Sequence, residues 1–141
     1  MSSAIDLGVV NALRNDAILT GLAPGGIYRD SAPERVIDAA VANPDDVFGT
    51  VALQSALTRH EELGHAFEEN RYLVKFICPS TSPVTAQSAA DRAEVVLKTV
   101  TVSGFAVTCL RREERIAYVE VDGPVRWQHR GVSWLVVASA S

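Results

Sequence analysis

Residues 70–100 read NRYLVKFICPSTSPVTAQSAADRAEVVLKTV, and the change of period inside this stretch decides the fold class. From Tyr72 to Cys78 the residues are β-branched, aromatic or apolar, with Arg71 and Lys75 spaced to keep one face wet, which is the alternation of a half-buried strand. Pro79, Ser80, Thr81, Ser82 and Pro83 stop it. Ser82 is expected to cap a helix whose first position is Pro83, where a missing N–H costs nothing. Along that helix Ala86, Ala89, Ala90, Ala93, Val96, Leu97 and Val100 share one face, while Gln87, Asp91, Glu94 and Lys98 lie elsewhere. An apolar stripe of small side chains lets a helix axis approach a sheet closely, so the helix is expected to lie flat on the strand it follows. Strand, turn and helix together predict an α+β domain.

On the N-terminal side, Ser3 followed by Asp6 resembles a capping pair, and Ile5, Val9, Ala12 and Leu13 form a short apolar stripe ending near Asn15. Asp16 can cap a further turn from Ala17 to Leu22, which Ala23-Pro24-Gly25-Gly26 breaks. Ile27-Tyr28 reads as a brief extended piece. Residues 30–46 are poor in large apolar groups and read as loop, with one helical turn at Glu34 to Val41. Val47 to Thr58 alternates as a strand. The polar link Arg59 to Asn70 is long for a tight hairpin, so either both strands extend beyond the sheet as an arm or the connection is mobile. After the helix, Phe105 to Leu110 and Ile116 to Val121 read as two strands joined by Arg111-Arg112-Glu113-Glu114-Arg115. Asp122-Gly123-Pro124 is a turn, and Val125 to Ala138 a long closing strand with Gly131 as the natural bend. Trp127 and Trp134 fall on opposite faces of it if the alternation is unbroken, and on one face if a bulge intervenes. The expectation is a mixed or antiparallel sheet of four to five strands, with an N-terminal helix and the alanine-rich helix on one face, as a single domain over residues 1–141.

Composition narrows the function. The 141-residue chain is the size of one domain, able to bury roughly 68 to 70% of its unfolded surface. Its 48% apolar and 21% charged residues argue against disorder. No apolar run approaches the ~18 residues of a spanning helix, and MSSAIDLG lacks the basic and hydrophobic regions of a signal peptide, so no membrane partner and assembly in the cytoplasm are expected. Cys78 and Cys109 each sit in an apolar run and read as buried free thiols. A net charge of -4 and pI near 5.3 argue against sequence-specific nucleic-acid binding, which needs a basic footprint.

Motifs that catch the eye resolve into surface. His60 and His65 flank Glu61-Glu62-Leu63-Gly64; the zincin arrangement needs histidines one turn apart, and five residues turn them about 140° from each other. His129 reads as an exposed strand residue. Ala23-Pro24-Gly25-Gly26 lacks the strand-glycine-helix order and the lysine of a phosphate loop, and Asp45 and Asp46 point to different sides in any regular structure. No catalytic, cofactor-binding or metal-ligating residue is nominated. Two charged stretches are candidate contacts between subunits: Arg59, Glu61, Glu62, Glu68 and Glu69 in the polar link, and Arg111, Arg112, Glu113, Glu114 and Arg115 in the charged turn.

The order of the whole chain resembles the tail-terminator proteins of long-tailed phages, also called tail-completion or tail-to-head joining proteins. Four pieces carry the resemblance: Asn11 to Ala17 leading through Leu22 to Gly26-Ile27-Tyr28; the strand Tyr72-Leu73-Val74-Lys75-Phe76; the alanine-rich helix Ala86 to Leu97; and the aromatic strand Arg126 to Val137. The less regular segments 30–46 and 59–70 depart from it. The resemblance implies a non-enzymatic virion protein that forms a homo-hexameric ring at the head-proximal end of a tail tube. Such a ring ends tube polymerisation and joins a head-tail connector or stopper protein, with genomic DNA passing through the lumen unbound. No cofactor is implied, and an acidic lumen would let DNA slide. The alternatives are a head-tail connector or stopper ring, and a small cytoplasmic α+β enzyme or ligand-binding domain.

Overall fold

The structure, a computed structural model, describes residues 2–60 and 66–140. Helix α1 (Ser2–Arg14) is followed by α2 (Ala17–Leu22), strand β1 (Gly26–Arg29), α3 (Glu34–Ala42), β2 (Phe48–His60), β3 (Ala66–Cys78), α4 (Val84–Leu97), β4 (Phe105–Asp122) and β5 (Val125–Ala140). The strands form one sheet in the order β1-β2-β3-β5-β4; β1 runs parallel to β2, and every other pairing is antiparallel. This is the expected α+β architecture.

Two crossovers arrange the helices. β1 reaches β2 through α3, and β3 reaches β4 through α4, with β5 inserted between that second pair. Both crossovers step the same way across the sheet, yet β1 and β3 point in opposite directions. A common handedness therefore places α3 and α4 on opposite faces, and their buried residues lie there. Ala86, Ala89, Ala90, Ala93 and Leu97 of α4 join Ile5, Val9 and Leu13 of α1 over Tyr72, Val74, Phe76, Trp134 and Val136. Val36 and Ala40 of α3 join Phe48, Ile77 and Trp127 on the other face. The helix of residues 34–42 is thus a full element with its own core, where the sequence suggested a single turn in a loop.

The alternation along β5 is unbroken from Gln128 to Ser139 in its register with β3, which puts Trp127 and Trp134 on opposite faces, each in a different cluster. The irregularity sits in β4 instead, between Arg111 and Arg115, where Arg111 pairs with Trp134 and Arg115 with Val132. The expectation of two strands joined by a charged turn is corrected by this: β4 is a single strand of 18 residues, and residues 112–114 are absorbed as a bulge. The polar link is corrected likewise, since β2 runs to His60 and β3 starts at Ala66 with Ala66 opposite His60. Both strands run on, but β3 is paired with β5 from Phe67, so over the described residues they stay within the sheet rather than leaving it as an arm.

Helix ends follow local chemistry with two shifts. Pro83 occupies the cap position of α4, its carbonyl accepting from the Gln87 N–H at 2.8 Å, so the helix begins one residue later than the Ser82 cap predicts; Ser82 Oγ makes only a 3.4 Å contact with the Val84 N–H. Ser3 and Asp6 lie inside α1, and Asp6 is buried rather than capping. Asp16 caps α2 as read: its Oδ2 accepts from the Leu19 N–H at 2.9 Å, and Arg92 of α4 donates to both carboxylate oxygens at 2.8 Å. The Arg92 hydrogen bonds, then the Leu19 N–H, hold the Asp16 pKa down from 3.8 to about 2.

Replacing Asp16 with alanine removes the cap and the bidentate pair that ties α2 to α4. The expected loss is about 2 kcal/mol, roughly 1 for the cap and up to about 1 for a partly exposed ion pair. Because the folded pKa lies below the unfolded one, this carboxylate's contribution is complete above pH 3.8 and is lost as pH falls through about 2. Urea unfolding followed across that window checks it, the Asp16→Ala protein losing less stability on acidification than the parent.

Candidate functional site

On the face that carries α3, the sheet is only partly covered. Residues facing this side are Phe48 and Thr50 of β2, Lys75 and Ile77 of β3, Trp127 and His129 of β5, and Tyr118, Glu120 and Asp122 of β4, as the strand register dictates. Between them, α3 and the 30–32 segment lies an open cleft of about 340 Å³. Phe48, Ile77 and Trp127 make its apolar floor, Phe48 and Trp127 meeting edge to face at 6.2 Å. Asp30, Glu120 and Asp122 supply carboxylates around it. Asp30 holds a left-handed backbone with φ 66°, a conformation that aspartate tolerates better than most side chains.

One wall is a connected polar row. The Lys75 ammonium donates to the Tyr118 hydroxyl at 2.9 Å, the Tyr118 ring stacks on His129 with centroids 4.3 Å apart, and His129 Nε2 lies 3.1 Å from Glu120 Oε1. His129 is 5% exposed, which corrects the sequence expectation of a surface residue. The missed signal is its cross-strand partner: Tyr118 lies directly opposite it and covers it. Burial lowers the His129 pKa against the opposing pull of Glu120, so the imidazole is neutral at pH 7. A carboxylate only accepts, and Nε2 therefore carries the proton and donates to Glu120, leaving Nδ1 buried without a partner.

A neutral buried histidine makes the fold acid-sensitive. With the folded pKa below 6.5, stability is complete above pH 6.5 and declines as pH falls toward the folded value. The urea midpoint is expected to drop between about pH 7 and pH 5, and His129→Phe, which keeps the stack on Tyr118, is expected to flatten that part of the curve. Equal slopes in the two proteins would place the protonation elsewhere.

The opposite face carries a second polar set, inside the core. Asp6 of α1 accepts from the Tyr72 hydroxyl and, at 2.8 Å, from Arg29 of β1. Burial and that bond push the Tyr72 pKa upward, so the phenol stays protonated and donates. Glu68 and Asn70 are buried on the same strand. Outside them, a shallow groove between α1 and the end of α4 exposes Leu7 and Val95.

The candidate contact residues are scattered rather than gathered. Arg59 lies near the end of β2, and Glu61 and Glu62 lie outside the described residues. Glu68 is 2% exposed, which takes it off the surface of the subunit, and Glu69 is half-buried. Arg111, Arg112, Glu113 and Glu114 fall within the irregular part of β4, and Arg115, at its end, is exposed. They share the outer strand of the sheet, beyond which no further strand lies among the described residues. Among the described residues no group of three or more His, Cys, Asp or Glu side chains is placed to hold a metal ion, and Cys78 is a buried free thiol. Among them too, no helix is long and apolar enough to cross a membrane.

No protein-family model and no curated protein matches the sequence. Solved structures do match the fold. A chain in a structure described as the virion of a native gene transfer agent (GTA) particle superposes with a TM-score of 0.71, covering 99% of this chain and 97% of that one, at 16% identity. The fold is shared with a chain of a virion.

Proposed function

We propose that the protein is a structural component of a phage-like virion, and that it forms a hexameric ring at the head-proximal end of a tail tube. In this role it ends tube polymerisation and offers the surface to which the head connector or stopper binds, while DNA passes through an acidic lumen without being held. The observation that carries the reading is the end-to-end likeness, at a TM-score of 0.71, to a chain of a gene transfer agent virion. The tail-terminator resemblance of the sequence points to the same kind of particle. The physics agrees with assembly: a sheet whose outer strand is 18 residues long presents an extended edge, and a contact repeated by rotation closes into a ring without a cofactor.

The test is co-assembly. Purified protein mixed with tail-tube protein of the same particle is expected to stop tube growth at a fixed length and to appear in electron micrographs as a ring on one tube end. Tubes that grow on unchanged, with the protein bound instead to isolated head connectors, would move the assignment to a connector or stopper ring.

A further inference from the structure

We propose that the α3-side cleft is a socket for a cationic side chain from the next copy of this chain, and that Arg115, exposed where the irregular part of β4 ends, supplies it. The proposal rests on the ring reading and names the contact that builds the ring. The floor of Phe48, Ile77 and Trp127 suits the methylene stem of an arginine, and Asp30, Glu120 and Asp122 around it suit the guanidinium. The cleft's own cation, the Lys75 ammonium, sits on the Tyr118 hydroxyl at 2.9 Å, and among the described residues no ion pair joins it to Asp30, Glu120 or Asp122. Glu120 keeps 61% of its side chain exposed while bonded to His129, so one carboxylate oxygen can be oriented by the histidine and still meet a guest.

The donor is on the same strand and out of reach. Arg111 and Arg115 flank the bulge, and Arg115 is exposed. Five residues separate Arg115 from Glu120, about 17 Å along a strand. Arg115 also pairs with Val132 of the α1/α4 core, whereas Glu120 pairs with Trp127 of the α3 cluster, so their side chains leave the sheet on opposite faces. The contact therefore forms only between copies. Because donor and acceptor leave opposite faces of the sheet, one flat partner surface cannot engage both at once, and the interface is head-to-tail, the kind that closes into rings or runs on into filaments.

The experiment uses the full chain in a Cys109→Ser background, with Ser31→Cys at the cleft rim in one preparation and Ala117→Cys, exposed on the Arg115 face of β4, in another, joined by a short bismaleimide. The mixture is expected to give about tenfold more crosslinked dimer than either preparation alone, and Glu120→Gln in the Ser31→Cys chain is expected to reduce that excess. Equal product from one preparation alone would overturn the proposal, as would an excess insensitive to Glu120→Gln or no excess at all; a chain carrying both cysteines is expected to crosslink into a ladder beyond dimer, and a stop at dimer would mean a reciprocal contact and overturn it too. Charge exchange separates this contact from the ring reading itself. Glu120→Arg with Asp122→Arg, and separately Arg112→Glu with Arg115→Glu, are each expected to abolish ring formation on tubes, and the four changes on one chain to restore it. Rings that survive the cleft reversal sink the socket and leave the ring standing. If unsubstituted protein makes no ring but the mixture crosslinks, the ring reading falls and the head-to-tail contact remains.

Discussion

Gly131→Ala is expected to cost about 4 kcal/mol, enough to leave little folded protein at 37 °C, because the added methyl has nowhere to go. Gly131 sits mid-strand in β5, paired on one side with Lys75 and on the other with Ile116. A Cβ built there runs into the Val74 carbonyl oxygen and lies 2.6 Å from the Lys75 Cα. Those are backbone atoms of β3, and β3 cannot yield without breaking the central ladder of the sheet. The same chemical change at Gly21 has the opposite sign. Gly21 lies inside α2 with nothing within 4 Å of its would-be methyl, so alanine there is expected to add about 0.5 to 1 kcal/mol through helix propensity. Urea denaturation of the two variants beside the parent measures both; a Gly131→Ala protein within 1 kcal/mol of the parent would mean that β3 and β5 separate more easily than their register implies.

Gly131 also shows how far the sequence could be read. Its position in a long closing strand marks it as unusual, and a bend was the natural reading, but what it provides is close approach of two backbones. That depends on β5 returning between β3 and β4, a topological fact that no local pattern contains. The same limit explains the bulge. Arg111-Arg112-Glu113-Glu114-Arg115 has the composition of a turn, and it becomes strand because β5 lies alongside for its whole length. Period and capping, by contrast, are local, and they carried the α4 stripe, the Asp16 cap and the break at Ala23 to Gly26, whereas the faces of Trp127 and Trp134 waited on the β3–β5 register.

The cleft was less legible than the fold, for a related reason. Its carboxylates come from the segment after β1 and from β4, its floor from β2, β3 and β5, and its histidine is hidden by a tyrosine that only the β4–β5 register brings opposite. A lone histidine between glutamine and arginine reads as exposed, and Glu68 in a run of polar residues reads as exposed too. His129 is covered by Tyr118 of the neighbouring strand, and Glu68 is buried on β3. The β4 arginines were legible as charge, and the fold adds their location on the outer strand, five residues or more from the acid groups that complement them.

Trp134→Ala should come close to Gly131→Ala in effect, about 4 to 5 kcal/mol, the upper end of the range for deleting a buried indole. Trp134 is 1% exposed in the larger core, in register with Tyr72 on one side and Arg111 at the bulge on the other. What sets the cost is how well the surroundings can collapse. The helix over this face presents Ala86, Ala89, Ala90 and Ala93, side chains with no length to reach into a void, so the cavity stays open. Trp127 is buried almost as well at 7% exposure, but in a small cluster beside an open cleft. There solvent and the Phe48 ring can take up the space, and Trp127→Ala is expected to cost about 3 kcal/mol. Guanidinium unfolding of the two variants gives the order directly. If Trp127→Ala proved the more damaging, the alanine-faced layer would not be the rigid core of this protein, and the α3 side would carry more of its stability than the packing indicates.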